Sequence, residues 1–284
     1  MELKKLFFPI GGGEELRERI RGALLVNKFF GTHLTIMAAQ LDPRTIYNVR
    51  MTLKGGVLMD EFLKSANDEL EKERENLNQI FKEECESVGL DINDEVGIPN
   101  SARLKCLTGV RSELVEKHSR YCDLVIASVP PTGSITGTFE AAVVKSGKSC
   151  IVIPRVMNQF KADKILLSLS GTAASARALT NSIFLLKKTK VVHCVIARHY
   201  LADSEEETVG RIRNYLSLHG IENVEFECLD TEGKVPGQML VEHSSKGEYD
   251  LIVAGMHADN GIKEIFLGGA SKYFLKNTKI PVFM

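Results

Sequence analysis

The sequence predicts an α/β protein made of two tandem domains, each a doubly wound, five-stranded parallel sheet. Three observations carry that prediction. Short apolar runs alternate with helical patterns along the whole chain. Two segments close alike: Cys122-Asp-Leu-Val-Ile-Ala-Ser128 leads through a loop and a helical stretch to Cys150-Ile-Val-Ile-Pro154, and Tyr249-Asp-Leu-Ile-Val-Ala-Gly255 leads similarly to Ile280-Pro-Val-Phe283. Two segments also open alike, Lys5–Ile10 and Lys164–Leu169, each running into a glycine-bearing turn. A repeat of this length is a whole domain and not a solenoid unit. Short β-branched runs separated by helices indicate strands buried on both faces of a parallel sheet.

The second half is the cleaner copy. Ile165–Leu169 reads as a strand and 173–188 as a helix with Ala176, Leu179, Ile183 and Leu186 on its apolar face. Val191–Ala197 is the next strand. Ser204 with Glu207 three positions later is a capping box, opening a helix that runs to His219. Val224–Leu229 is a strand, 235–245 a helix, Leu251–Ala254 a strand, 269–276 a helix and 280–283 the last strand.

The first half repeats this order with an addition. Lys5 and Asp123 are 118 positions apart and Lys164 and Asp250 are 86 apart, a difference of 32. The extra residues fall near 42–91, where 59–88 is a long charged segment with Phe62, Leu63, Leu70, Leu77, Ile80, Phe81 and Val88 near helical spacing. It is expected to be an amphipathic helix lying on the sheet or on the partner domain, with a docking surface for another protein as the functional alternative. The domains are therefore expected at 1–157 and 158–284. The two closing strands are expected to face each other, because edge strands left bare invite foreign pairing.

Composition narrows the function. The chain has 284 residues, 44% hydrophobic and 26% charged, with a formal net charge of −1. Neither half carries the basic excess that holds a nucleic-acid backbone. No run approaches the roughly 20 apolar residues of a membrane span. Met1–Lys5 leads directly into a strand without a signal-peptide core. Cys85, Cys106, Cys122, Cys150, Cys194 and Cys228 are far apart, without C-x-x-C spacing, so they are expected to be reduced in a cytoplasmic protein. No metal site is expected: His193 interrupts an apolar strand as a hydrogen-bonded core residue would, and the other histidines lack ligand spacing. No nucleophile elbow is present, and no catalytic residue is assigned.

Ligands of open parallel sheets bind beyond the carboxyl ends of the strands, where the strand order reverses. In the second copy this selects Ser170-Gly171-Thr172 and the stretch from Gly255 through His257 and Gly261 to Gly268-Gly269-Ala270-Ser271. Glycines there let backbone approach a ligand, and a helix beginning near Gly269 offers N–H groups and a positive dipole end to phosphate. His257 is placed to donate to a phosphate oxygen or simply to face solvent. In the first copy the counterparts are Gly11-Gly12-Gly13, Ser128 and Gly137-Thr138. There Pro130-Pro131 intervene and the loop is four residues shorter, so this site is expected to be degenerate. The plainer reading of all these glycines is tight strand-to-helix turns without a ligand.

The segment Asp250-Leu-Ile-Val-Ala-Gly255, then Phe266-Leu-Gly-Gly-Ala-Ser-Lys272, then Lys279-Ile-Pro-Val282 resembles the closing part of universal stress proteins, and the whole chain is similar to a tandem bacterial member. The resemblance implies a five-stranded α/β domain, assembly as a dimer, and binding of an adenine nucleotide, ATP or AMP, through a Gly-x2-Gly-x9-Gly-[Ser/Thr] pattern aided by an Asp after the first strand. Gly255 and Gly268 match the first and third glycines. Ala258 stands at the second and Gly269 at the Ser/Thr position. Ser170 and Gly11 stand where the Asp would be. Adenine would lie by Val195, Ile196 and Ala197. The function so implied is a stress-response regulatory or binding protein with at most slow background ATP hydrolysis. The alternative is an interaction module for an unknown protein partner that has lost its ligand.

Overall fold

The computed structural model describes residues 2–11, 13–43, 57–130, 135–198, 201, 203–230, 236–255 and 279–284. In chain order they form β1 (Lys5–Ile10), α1 (Leu16–Phe30), β2 (His33–Gln40), α2 (Val57–Val88), β3 (Asp91–Ile92), β4 (Ser101–Thr108), α3 (Arg111–Ser119) and β5 (Leu124–Ser128). Next come α4 (Gly137–Glu140), running into a π-helical turn (Ala141–Lys145), β6 (Cys150–Ile153), β7 (Lys164–Leu169) and α5 (Ala173–Leu186). The chain ends with β8 (Val191–Ala197), α6 (Glu205–Leu218), β9 (Val224–Leu229), α7 (Pro236–Gly247), β10 (Leu251–Ala254) and β11 (Val282–Phe283). The sequence-predicted helix at 269–276 lies outside the described residues. Two compact units result. The amino-terminal unit holds residues 3–125 and 137–148; the carboxyl-terminal unit holds 1–2, 126–136 and 149–284.

In the amino-terminal unit the strand order is β3-β4-β2-β1-β5, and the pairings are parallel. Central β1 is apolar on both faces: Leu6, Phe7, Phe8 and Ile10 are buried, as a doubly covered strand requires. Asp123, at the entry to β5, ties down the start of β1. Its carboxylate accepts from the Lys4 and Lys5 amides at 2.7 and 2.9 Å, and its own amide donates to the Lys5 carbonyl. The long insertion is the helix α2. It packs against α1 and the β3–β4 edge of its own unit, and Leu77, Phe81, Cys85 and Val88 form a helical stripe of buried residues. Arg17 pairs with Glu83 and Glu84 and Arg21 with Glu84, while the Lys28 ammonium donates to the Val88 carbonyl.

In the carboxyl-terminal unit the order is β6-β11-β10-β7-β8-β9. All pairings are parallel except β6 with β11, which run antiparallel with Val282 opposite Val152 and Phe283 opposite Ile151. The two closing runs thus pair with each other, sealed by reciprocal Cys150–Met284 backbone bonds of 2.9 and 2.8 Å. β11 begins only after Pro281, which has no N–H but accepts from the Ile252 amide. Asp250 repeats the role of Asp123: its carboxylate accepts from the Lys164 amide at 2.9 Å, and its amide donates to the Lys164 carbonyl. α6 starts at the expected cap, with Ser204 Oγ accepting from the Glu207 amide.

One expectation about α5 is corrected. Its buried face is Ala174, Ser175, Ala178, Ser182 and Leu185 together with Leu186, while Ala176 is exposed and Leu179 and Ile183 are only half-buried. Small residues let this helix lie close to the sheet, so the bulkier stripe is left on its flank. Cys85, Cys106, Cys122, Cys194 and Cys228 are free thiols. Burial pushes the Cys85 and Cys122 thiols up to about 12, which makes them inert packing groups. Among the described residues no helix is long and apolar enough to cross a membrane.

Candidate functional site

In each unit the chain order reverses beside the first strand. β7 lies between β8 and β10 in one unit, and β1 lies between β2 and β5 in the other. In open sheets of this kind a ligand sits at the loops leaving the carboxyl ends of such strands.

At the end of β7, Ser170, Gly171 and Thr172 form the turn into α5. Gly171 has φ +66°, a left-handed conformation that favours glycine. Thr172 is the N-cap: its hydroxyl accepts from the Ser175 amide at 3.2 Å and lies 3.1 Å from the Ser170 hydroxyl, while Ser175 Oγ donates to the Thr172 carbonyl at 2.9 Å. Pairing of Ala254 with Ser168 brings Gly255 to the same strand end. A Cβ on Gly255 would lie 2.4 Å from the Ser175 nitrogen and 2.5 Å from the Ala174 carbonyl carbon. Close helix packing therefore requires glycine there, independently of any ligand. Of the residues selected at the end of β8, Val195 and Ile196 are buried, Val195 in the core cluster with Leu166 and Ile252, and only Ala197 is partly exposed. His257, Gly261, Gly268, Gly269, Ala270 and Ser271 lie outside the described residues.

Arg198, which the sequence reading passed over, sits just beyond Ala197. Its guanidinium bridges Glu205 at 2.8 Å and Asp230 at 3.2 Å and donates to the Cys228 carbonyl. Any anion approaching this edge would compete with two carboxylates for that cation.

The amino-terminal unit fills the corresponding place differently. Gly11 follows β1, and a Cβ on it would fall 2.3 Å from an Arg111 guanidinium nitrogen. Arg111 begins α3 and reaches back over the strand ends, donating to the Ala39 carbonyl at 3.2 Å. Its Nε is buried without a hydrogen-bond partner among the described residues, and burial lowers its pKa. Gly13 has φ +102°, and the Gly11 carbonyl accepts from Arg19 at 3.0 Å. Gly137 opens α4 as expected, a Cβ on it would meet Ser112 only at ordinary contact distance, and Thr138 beside it is half-buried. Ser128, which ends β5, belongs to the carboxyl-terminal unit, and its buried hydroxyl has no hydrogen-bond partner among the described residues. Gly12 lies outside the described residues.

A second constellation lies on the face of the carboxyl-terminal sheet covered by α7. His193 on β8, Glu227 on β9 and His243 on α7 converge. His193 Nε2 is 3.2 Å and His243 Nε2 3.5 Å from Glu227 Oε2. The Tyr249 hydroxyl bonds His193 Nδ1 and lies 3.3 Å from His243 Nε2. His193 is a hydrogen-bonded, largely buried residue, as its place in the strand suggested. Burial, and then the neighbouring His243, lower its pKa, while burial followed by Glu227 and Glu225 pushes the Tyr249 phenol up to about 12. Sequence spacing gave no sign of this group, because its members come from three separate elements.

Comparison with known proteins places the fold. Residues 161–284 match the model of the universal stress protein family. No curated protein matches the chain by sequence. Among solved structures, a universal stress protein from Archaeoglobus fulgidus DSM 4304 superposes with a TM-score of 0.68 at 14% identity, covering 100% of this chain and 98% of that one. A functionally unknown protein from Pseudomonas aeruginosa PAO1 gives 0.54 at 12% identity, covering 99% of this chain and 92% of that one. A putative universal stress protein from Pseudomonas aeruginosa UCBPP-PA14 gives 0.51 at 13% identity, with the same shares of 99% and 92%. The fold is thus shared over the length of the chain, and residues 161–284 carry the match to the universal stress protein family model.

Proposed function

We propose that the chain is a tandem universal stress protein that acts as a stress-response regulatory or binding protein, taking an adenine nucleotide, ATP or AMP, in its carboxyl-terminal unit. The observation that carries this reading is the family match over 161–284, coincident with the hydroxyl-rich Ser170–Thr172 turn at the point of strand reversal. The matched aspartate contacts, Asp123 on Lys5 and Asp250 on Lys164, support descent of the two units from one duplicated domain. Phosphates would meet the Gly268–Ser271 stretch, and the base would lie against Ala197. The amino-terminal unit would be the silent copy, since the Arg111 side chain takes up the space beside Gly11. The protein would be non-catalytic, cytoplasmic and a homodimer. The free thiols of Cys85, Cys106, Cys122, Cys194 and Cys228 accord with a reducing compartment.

Gly255 favours a second reading. Its lack of a side chain is accounted for by the backbone of α5 alone, so one of the two matching glycines needs no nucleotide to explain it. On that reading the chain is a ligand-free interaction module. Native mass spectrometry of freshly purified protein separates the two. A co-purifying ATP, ADP or AMP supports the nucleotide reading, and a clean apo mass supports the module.

A further inference from the structure

We propose that His193, Glu227 and His243 form a binding site for a divalent transition-metal ion of the zinc class, with Tyr249 orienting the His193 ring. The geometry carries the assignment. Zinc bonds imidazole nitrogen and carboxylate oxygen at about 2.0–2.2 Å, so two ligands at a tetrahedral angle stand roughly 3.4 Å apart. The two His–Glu separations here, 3.2 and 3.5 Å, bracket that value, and one ligand atom from each of the three residues falls within 4.8 Å of the others. Two imidazoles and one carboxylate are a donor set suited to zinc, and three protein ligands leave a fourth position for water. The side chains are 13%, 41% and 23% exposed for His193, Glu227 and His243, so an ion has a way in.

The surroundings fit the same purpose. A metal-bound histidine commonly directs its other ring nitrogen to a hydrogen-bond partner, which fixes the ring and its tautomer. The Tyr249 hydroxyl stands at His193 Nδ1 in that position, leaving Nε2 to face Glu227 and His243. His193 and Glu227 sit on neighbouring strands and His243 on the helix that covers them, so a bound ion would pin α7 to the sheet just before β10.

The test is titration of Co²⁺, then Zn²⁺, into the full-length protein and into Glu227→Gln, His243→Ala and Tyr249→Phe, with circular dichroism to check folding. Cobalt distinguishes this site from adventitious thiol binding, because thiolate ligands add charge-transfer bands that imidazole and carboxylate do not. The expected result is one equivalent of tetrahedral cobalt without thiolate bands, displaced by zinc, and a thermal midpoint that zinc raises in the parent. Tyr249→Phe should weaken binding roughly 10–100-fold, the usual effect of losing an orienting partner. Glu227→Gln and His243→Ala should weaken it more. Glu227→Gln keeps the side-chain shape and decides the matter should His243→Ala fail to fold. Absence of tetrahedral bands, bands of thiolate character, or unchanged affinity in Glu227→Gln would each overturn the assignment.

Discussion

The two units treat the end of their first strand in opposite ways. After β7 the chain places two hydroxyls and a left-handed glycine, and Thr172 uses its hydroxyl to cap α5. After β1 it places Gly11 with the Arg111 guanidinium folded against it, its Nε buried and without a hydrogen-bond partner among the described residues. The strand order about that first strand and the aspartate that secures its start are the same in both. The scaffold is thus held by backbone pairing and a shared carboxylate contact, while the loop residues above it differ freely. In this fold the strand ends are where one copy can keep a ligand and the other lose it.

The glycine contacts offer the sharpest break of that comparison. Gly255→Val drives a branched side chain into the backbone of Ala174 and Ser175, which cannot swing aside. Thermal or denaturant unfolding should register a loss of about 3 kcal/mol. Gly11→Ala meets only the far end of the Arg111 side chain, which can rotate away, and should cost less than about 1 kcal/mol. Equal costs would mean that Arg111 is as fixed as the α5 backbone.

The aspartate contacts predict a smaller asymmetry. Asp123 accepts from two amides and Asp250 from one. Hydrogen bonds to a charged group contribute about 1.5–3 kcal/mol. Because the Asp123 contacts are partly exposed, Asp123→Ala should cost about 2 kcal/mol and Asp250→Ala about 1 kcal/mol. Urea midpoints measured at matched m-values would show the order, and a reversed order would contradict the structural account of β1.

A pH effect is expected from His33 in the amino-terminal unit. The Ser101 hydroxyl donates to the Ile98 carbonyl at 2.6 Å, so His33 Nδ1 must donate to Ser101 Oγ, at 2.8 Å. Nε2 is buried without a partner among the described residues, and protonating it would leave a charged N–H unsatisfied there. Burial, followed by Arg103 and Lys5, lowers the His33 pKa to about 4. Between that value and about 6.5 the unfolded chain binds the extra proton and the folded chain does not, so stability is complete above pH 6.5 and lost as pH falls toward 4. The expected loss is roughly 1–2 kcal/mol after allowing for solvent screening. His33→Asn should flatten the stability–pH curve across that window; an unchanged curve would remove His33 as its source.

Much of the fold was legible because its signals are local. Val191–Ala197, Val224–Leu229 and the Ser204–Glu207 cap each lie within one segment, where periodicity and capping chemistry act. The insertion was legible as a helix for the same reason. What escaped depends on how segments meet. The buried face of α5 follows from how closely the helix approaches the sheet, which small residues permit and hydrophobicity alone does not signal. The site was legible only as a set of loops. That Gly255 answers to the α5 backbone, that Arg111 reaches Gly11, and that His193, Glu227 and His243 meet are consequences of register between elements distant in sequence. Val195 and Ile196 show the limit from the other side: they sit at the chosen strand end, yet their side chains belong to the core.

The most direct test of the proposed asymmetry is calorimetric titration of ATP into the parent, Gly268→Val and Gly137→Val, with circular dichroism confirming each fold. A branched side chain at Gly268 would stand where phosphate must approach, whereas Gly137 opens a helix in the copy proposed to be silent. The account predicts a single modest-affinity site that Gly268→Val abolishes and Gly137→Val leaves intact, since each helix-terminus contact to an anion contributes only about 0.3–1 kcal/mol. Binding lost in Gly137→Val and kept in Gly268→Val would reverse the assignment, and no heat in the parent would contradict the nucleotide reading altogether.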